Sequence, residues 1–392
     1  MIRTLPSLLK RLAYYGYLDD NTLGDVDSLS GDALTTVLHG IANNLMARRQ
    51  TPSWAADAHY QTPSNAFQAC IARFDGVELS TEERGILAQL CPWGQEAYAR
   101  LAPTFQRRRE SGFTVPALGI VEGDVCGDLA VMAAESLSHD QLRTANVIAD
   151  RYLEVTGDYG TLRVLSYFIA YVCLYRALEE VNDPETRLAY LREAGWVAEF
   201  RVPYLLIGVG VHGSGKSDFT YSAMKELGGI RIRANVERAR ILGKSMANTP
   251  EDFDEATTDQ TYRHIAHMTG LMLEAGYPVY IDGSCLTRAQ RALLRNEAEA
   301  RGLAVIIVSF EADNATLKAR VTERQHRLGL SVEDGLRILS EQQARFEPFD
   351  DEELFHLVHL DTTQPDANDT LVALIRENVR IPGTTIPIPP LS

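Results

Sequence analysis

Positive charge is in short supply in this chain. Its 392 residues carry 38 lysines and arginines against 53 aspartates and glutamates, a formal net charge of −15. A balance so acidic disfavours a broad electrostatic grip on nucleic acid, although it leaves room for a local basic groove. Cysteine is also sparse. Cys70, Cys91, Cys126, Cys173 and Cys285 are scattered, odd in number, and form no Cys-x-x-Cys pair. That excludes a disulfide framework and the common zinc spacings, and it predicts reduced thiols in a cytoplasmic protein. Long hydrophobic runs are missing too. The longest, residues 164–175 between Arg163 and Arg176, falls short of the ~20 residues that cross a bilayer and predicts a buried helix. The first fifteen residues are mildly amphipathic, and Asp19 and Asp20 follow where a signal peptide would have its apolar core. No membrane partner is expected.

What is present is globular in character, with 45% hydrophobic residues. The length predicts two domains. Residues 1–198 show helical periodicity and almost no strand signal, with helices expected near 5–15, 30–48, 64–73, 80–90, 94–109, 138–156, 159–180 and 184–195. Residues 199–365 alternate strand and helix. Strands are expected at 204–209, 230–233, 278–282, 304–310 and 355–360, which implies a parallel sheet covered on both faces. Residues 366–392 read as a last helix followed by a proline-rich tail.

The most informative stretch is Gly210-Val211-His212-Gly213-Ser214-Gly215-Lys216-Ser217. It follows the apolar run 204–209 and opens a helix. Strand, glycine-rich turn and helix together make a P-loop: backbone N–H groups aim at phosphate oxygens, and the helix N-terminus adds more. In such a loop Gly210, Gly213, Ser214 and Gly215 shape the cradle. Lys216 reaches the β- and γ-phosphates of ATP, and the Ser217 hydroxyl holds Mg²⁺. His212 occupies a variable position and is expected to point away from phosphate. Asp282 ends an apolar strand, where it would either organise Mg²⁺ and the nucleophile or cap the following helix. Arg320 and Arg324 lie on a late helix. They suit a lid that closes over the leaving phosphate, or else ordinary surface charge. Arg288 and Arg291 face either an acceptor pocket or solvent. His264 and His267 stand at i, i+3 with no third metal ligand in view.

Two resemblances add to this. Phe105 to Phe113, Asp124 to Ala130, and Arg151 to Tyr159 with the helix beyond resemble parts of aminoglycoside-phosphotransferase-like proteins. The His-Gly-Asp and Asn that this family uses for transfer are missing here, so the resemblance implies a truncated helical lobe without that chemistry. Asp124 and Asp128 could hold a metal at i, i+4, with a cap or solvated acid the weightier reading. Arg107-Arg108-Arg109 reads as a solvated helix face.

The second half resembles the small-molecule P-loop kinases related to zeta toxins, chloramphenicol phosphotransferase and polynucleotide 5′-kinases. The resemblance rests on the P-loop, Ile232 to Arg238, Tyr280 to Gly283 with Arg288 and Arg291, Arg320 with Arg324, and Gln343 with Arg345 to Pro348. It implies an α/β P-loop kinase fold with a five-stranded parallel sheet, preceded by an all-α domain. It also implies ATP and Mg²⁺ as cofactors and a small-molecule acceptor held by Arg238. Where the family has an acid to take the acceptor proton, this chain has Asn235, and an amide is no base at neutral pH. Either positioning suffices for transfer, or Asp282 or Glu237 substitutes, or the protein binds ATP without transferring phosphate. A regulatory ATP-binding protein and a polynucleotide 5′-hydroxyl kinase therefore stand as alternatives. Oligomeric state leaves no trace in the sequence.

Overall fold

The computed structural model describes residues 63–113, 124–137, 142–198, 203–247 and 249–379. The helices expected at 5–15 and 30–48, and the proline-rich tail, lie outside them. The chain divides into two compact units, Met1–Phe200 and Arg201–Ser392.

The described part of the first unit is built from helices: α1 (Pro63–Ala72), α2 (Thr81–Glu110), α3 (Val125–Leu137), α4 (Leu142–Thr156), α5 (Leu162–Glu179) and α6 (Pro184–Ala198). Two helices were expected where α2 runs unbroken for 30 residues through Pro92 and Pro103. Both prolines are on the solvent side. Leu87, Leu90, Ala97, Thr104 and Arg108 are buried on the other. Packing along that face outweighs the ~3 kcal/mol an interior proline costs. At the start of α2 a capping box joins Ser80 and Glu83, and buried Glu83 also accepts from Arg187 Nε at 2.7 Å. Helix α3 was not among the helices expected.

Helix α5 is the hub of this unit, packing against α1, α2, α3 and α6. With the turn before it, it is long and apolar enough by length and composition to cross a membrane, yet most of it is buried inside the unit. Tyr167 and Phe168 on α5 pack their rings against Phe67, Trp93 and Phe105.

Arg108 corrects the expectation of a solvated arginine triplet. It is 4% exposed, whereas Arg107 is exposed. Residues 104 and 108 share the inward face of α2, so the helical period takes Arg108 inside. There it grips Asp124 (Nε–Oδ2 2.8 Å) and Asp158 (Nη1–Oδ1 2.6 Å), and the Tyr152 hydroxyl donates to Asp158 Oδ2 at 2.7 Å. Asp124 also accepts from the Cys126 amide at 2.8 Å. Its oxygens thus serve an ion pair and a turn, and no metal is needed to explain them. The side chain of Asp128 lies outside the described residues.

The second unit is α/β. Its elements are β1 (Tyr204–Val209), α7 (Lys216–Leu227), β2 (Ile230–Arg233), α8 (Ala234–Leu242), α9 (Glu255–Glu274), β3 (Val279–Asp282), α10 (Arg288–Glu299), β4 (Ala304–Glu311), α11 (Asn314–Leu328), α12 (Val332–Arg345), β5 (Leu357–Asp361) and α13 (Ala367–Asn378). The five strands form one parallel sheet in the order β2-β3-β1-β4-β5. Leu206, Tyr280, Ile306, Val308 and Phe310 on one face pack against Met224 of α7 and Leu371 and Ile375 of α13. On the other face α9 covers β2 and β3, and α10 covers β1 and β4.

An all-parallel five-stranded sheet with helices on both faces is the expected α/β fold, and its register sets the site. Gly208 pairs with Asp282, and Asp282 with Arg233, so the carboxyl ends of β1, β3 and β2 lie level at the edge where such sheets bind ligands.

Candidate active site

Beyond β1 the chain turns sharply and enters α7 at Lys216. Gly213 has φ 83°, and a Cβ there would lie 2.7 Å from the Leu317 carbonyl oxygen of α11. Only glycine gives both the backbone angle and the close approach of α11. Among the described residues no group accepts from the amides of Gly213, Gly215, Lys216 or Ser217. The His212 amide donates to Gln342 Oε1 of α12 at 2.7 Å. Lys216 Nζ curls back over the loop to Val211 O (2.9 Å) and Ser214 Oγ (3.2 Å). The loop is tethered from the far side, where the Gly210 amide donates to Ser284 O at 3.1 Å.

The charge around this loop is strongly one-sided. Asp282, 7% exposed, accepts from Ser217 Oγ at 3.0 Å through Oδ1, while Oδ2 lies 3.4 Å from Arg233 Nε and 4.0 Å from Arg231 Nη1. Burial pushes the Lys216 ammonium down to about 8 despite the nearby Asp282 carboxylate. Burial, then the charge of Arg233, lowers Arg324. His212 is pushed to about 3 by burial and then by the charges of Arg324 and Lys216, so its ring is neutral at pH 7. Four cations, Lys216, Arg231, Arg233 and Arg324, around one carboxylate, beside open backbone amides, form a receptor for a multiply charged anion. Ser217 and Asp282 supply hard oxygens and fit Mg²⁺. Among the described residues there is no cluster of three or more His, Cys, Asp or Glu, so such an ion would complete its shell with phosphate and water.

The two arginines expected on a lid, both on α11, differ in placement. Arg320 donates to Thr362 Oγ1 (2.8 Å), Thr362 O (3.0 Å) and Gly213 O (3.4 Å), tying the helix to the loop and to the end of β5. Arg324 is the one that faces the charged cluster.

Near the loop opens a cavity of about 60 Å³, lined among others by Asn235, Arg238, Tyr262, Ser284, Gln290 and Gln342. Asn235 and Arg238 reach it from α8, one turn apart. Glu237, between them, does not line it. It is fully buried on Arg240 and His264 (3.1 Å), which removes it as a substitute base and accounts for His264 without a metal.

Arg288 is a further correction. It is exposed and outside the lining, its amide donating to Glu347 Oε2 (2.7 Å) and its Nε to Pro348 O (2.8 Å). Arg291 is fully buried as a clamp. It pairs with Glu353 (2.5 and 3.0 Å) and donates to the carbonyls of Cys285 and Leu286. The clamp holds the loop after β3 in a strained shape: Cys285 has φ 47°, and its amide donates to the Tyr262 hydroxyl at 2.8 Å.

Several residues of the site escaped the sequence reading. Gln342 rather than Gln343 meets the loop; Gln343 is exposed on Asn314. The inward positions of α12 are Gly335, Ile338, Leu339 and Gln342, a helical period that would have chosen correctly. Arg233 drew no notice because nothing in the sequence aligns it with Asp282 across two strands.

Residues 205–349 match the family model described as AAA domain. No curated protein matches the chain. Solved structures similar to it include a sugar kinase from Janibacter sp. HTCC2649 (19% identity, 45% of this chain and 94% of that one, TM-score 0.36). Others are a gluconokinase from Sinorhizobium meliloti 1021 (21%, 46% and 99%, 0.32) and an APS kinase from Mycobacterium tuberculosis with AMPPNP and APS (15%, 45% and 99%, 0.34). Likeness of that degree says nothing about substrate.

Proposed function

We propose that this protein is a cytoplasmic ATP-dependent phosphotransferase that moves the γ-phosphate to a hydroxyl of a small molecule. One observation carries the reading. The Ser217–Asp282 pair, at 3.0 Å, closes a loop of open amides and one half-buried ammonium, near a cavity lined by Asn235, Arg238 and Gln342. Gly210, Gly213, Ser214 and Gly215 shape the cradle, and Lys216 neutralises charge on the terminal phosphates. Ser217 and Asp282 would hold Mg²⁺, which supplies further charge neutralisation when bound. Arg324 faces the transferring group, and Arg320 fixes the lid on which Arg324 stands. Arg238 and Asn235 hold the acceptor. With an amide at 235, positioning and charge stabilisation take the place of a strong base, as a loose transition state allows.

The test is a screen of hydroxyl acceptors with labelled ATP, wild type beside Lys216→Met. Transfer to at least one small molecule in the wild type, and a loss of about 10²- to 10³-fold in the variant, supports the reading. Transfer unchanged in the variant refutes it. Asn235 favours a second reading, a regulatory ATP-binding protein, which tight ATP binding without turnover on any acceptor would support. An oligonucleotide with a free 5′-hydroxyl belongs in the screen, although the acidic balance of the chain disfavours it.

A further inference from the structure

We infer that Glu341 takes the proton of the acceptor hydroxyl, in place of the acid that the chain lacks at Asn235. The inference rests on the cavity being the acceptor site of a kinase.

Helix α12 lines that cavity with Ile338, Glu341, Gln342 and Arg345, the i, i+3, i+4 and i+7 positions of one helix face. Asn235 lines the same space from the first turn of α8, just past β2. Glu341 and Gln342 stand at one level of α12, and Gln342 Oε1 accepts from the His212 amide of the nucleotide loop at 2.7 Å. The part of the wall that carries the carboxylate is thus the part that touches the loop.

Glu341 is the one carboxylate in the lining. Its own helix offers two ordinary partners, Arg337 one turn before it and Arg345 one turn after. Neither takes it. Arg337 pairs with Asp334 (3.1 Å) and reaches Glu251 (3.6 Å), and Arg345 donates to Phe253 O (3.1 Å). Among the described residues, half-buried Glu341 makes no hydrogen bond and no ion pair. The other acids around the site are spent: Glu237 on Arg240 and His264, Asp252 on Lys244, and Asp282 on Ser217 and Arg233. A carboxylate with free lone pairs, sharing a cavity with an amide that is no base, has the chemistry that removal of a hydroxyl proton needs.

In the transfer step the acceptor oxygen bonds to the γ-phosphorus as the bond from that phosphorus to the β–γ bridging oxygen breaks, and the electron pair leaves with ADP. The hydroxyl proton crosses to a Glu341 carboxylate oxygen and passes to water once the product departs. A loose transition state leaves most of the rate to positioning, so a weak base is enough. Asn235 orients the hydroxyl through its amide.

The experiment uses the full chain with labelled Mg·ATP and two probes, water and glycerol, as the hydroxyl donors. Glu341→Gln keeps the shape of the side chain and removes its basicity. Turnover should fall about 10²-fold in kcat, with KM for ATP and AMPPNP affinity unchanged. The deciding variant is the double, Glu341→Gln with Asn235→Asp, which puts an acid back on the opposite wall and should regain at least about tenfold of the loss. A merely structural Glu341 gives no such rescue. Wild-type turnover in Glu341→Gln, a loss confined to KM for ATP, or a double variant no faster than the single overturns the inference and leaves the kinase reading standing. A wild type that turns over ATP on neither probe overturns the kinase reading, and the inference with it.

Discussion

Replacing Lys216 by methionine should make the ligand-free protein more stable while removing its response to nucleotide. Burial lowers the Lys216 ammonium from an ordinary 10.5 to about 8. At 1.36 kcal/mol per pH unit, keeping that ammonium charged in the fold costs roughly 3 kcal/mol at neutral pH. Methionine removes the charge and keeps much of the volume. It forfeits the hydrogen bonds to Val211 O and Ser214 Oγ, worth about 1 kcal/mol each. The balance is a gain of roughly 1–2 kcal/mol, or about 2–8 °C in Tm for a unit of this size. The sign also fixes the pH dependence. Between about 8 and 10.5 the unfolded chain holds this proton and the folded one does not, so the cost fades as pH rises through that window. Melting curves at pH 7 and pH 10, with and without Mg·ATP, read all of this. The wild type should gain about 2.7 kcal/mol at a nucleotide concentration 100 times Kd, and the variant nothing. A ligand-free variant that melts below the wild type at pH 7, or an advantage that grows toward pH 10, would refute the reasoning.

Three further outcomes follow from the geometry. Arg108→Met strands two buried carboxylates and should cost about 3–5 kcal/mol in chemical denaturation of the first unit, with nucleotide binding unaffected. Gln342→Glu puts a negative charge against the His212 amide and should weaken ATP binding about tenfold or more, measured by titration calorimetry. Asn235→Asp should raise the transfer rate by about 10²-fold if proton removal limits the wild type, and an unchanged rate would show that positioning and the groups already present suffice.

Much of the second unit was legible in advance because most of its strands are short apolar runs, as at 204–209 and 304–310. The P-loop could be read from spacing, and Asp282 from its place at the end of such a run. The first unit was harder. A helix with two prolines reads as two helices until the buried stripe beneath it is known, and α3 hides behind a glycine. Within the site, the side chains that misled were those whose role depends on a distant partner. Arg291 was a candidate for binding until Glu353, 62 residues on, claimed it. Glu237 looked available until α9 brought His264 to it. Conversely, Glu341 acquires its meaning from two arginines that turn away from it, which no local pattern displays.

The Gln342 side chain belongs to two compartments at once. It stoppers one amide of the nucleotide loop and forms part of the wall of the neighbouring chamber. A triphosphate that claims that amide must dislodge the stopper, and the wall shifts with it. Where a triphosphate takes that amide, the second substrate meets a chamber of another shape. Acceptors screened without ATP would be judged against the wrong shape.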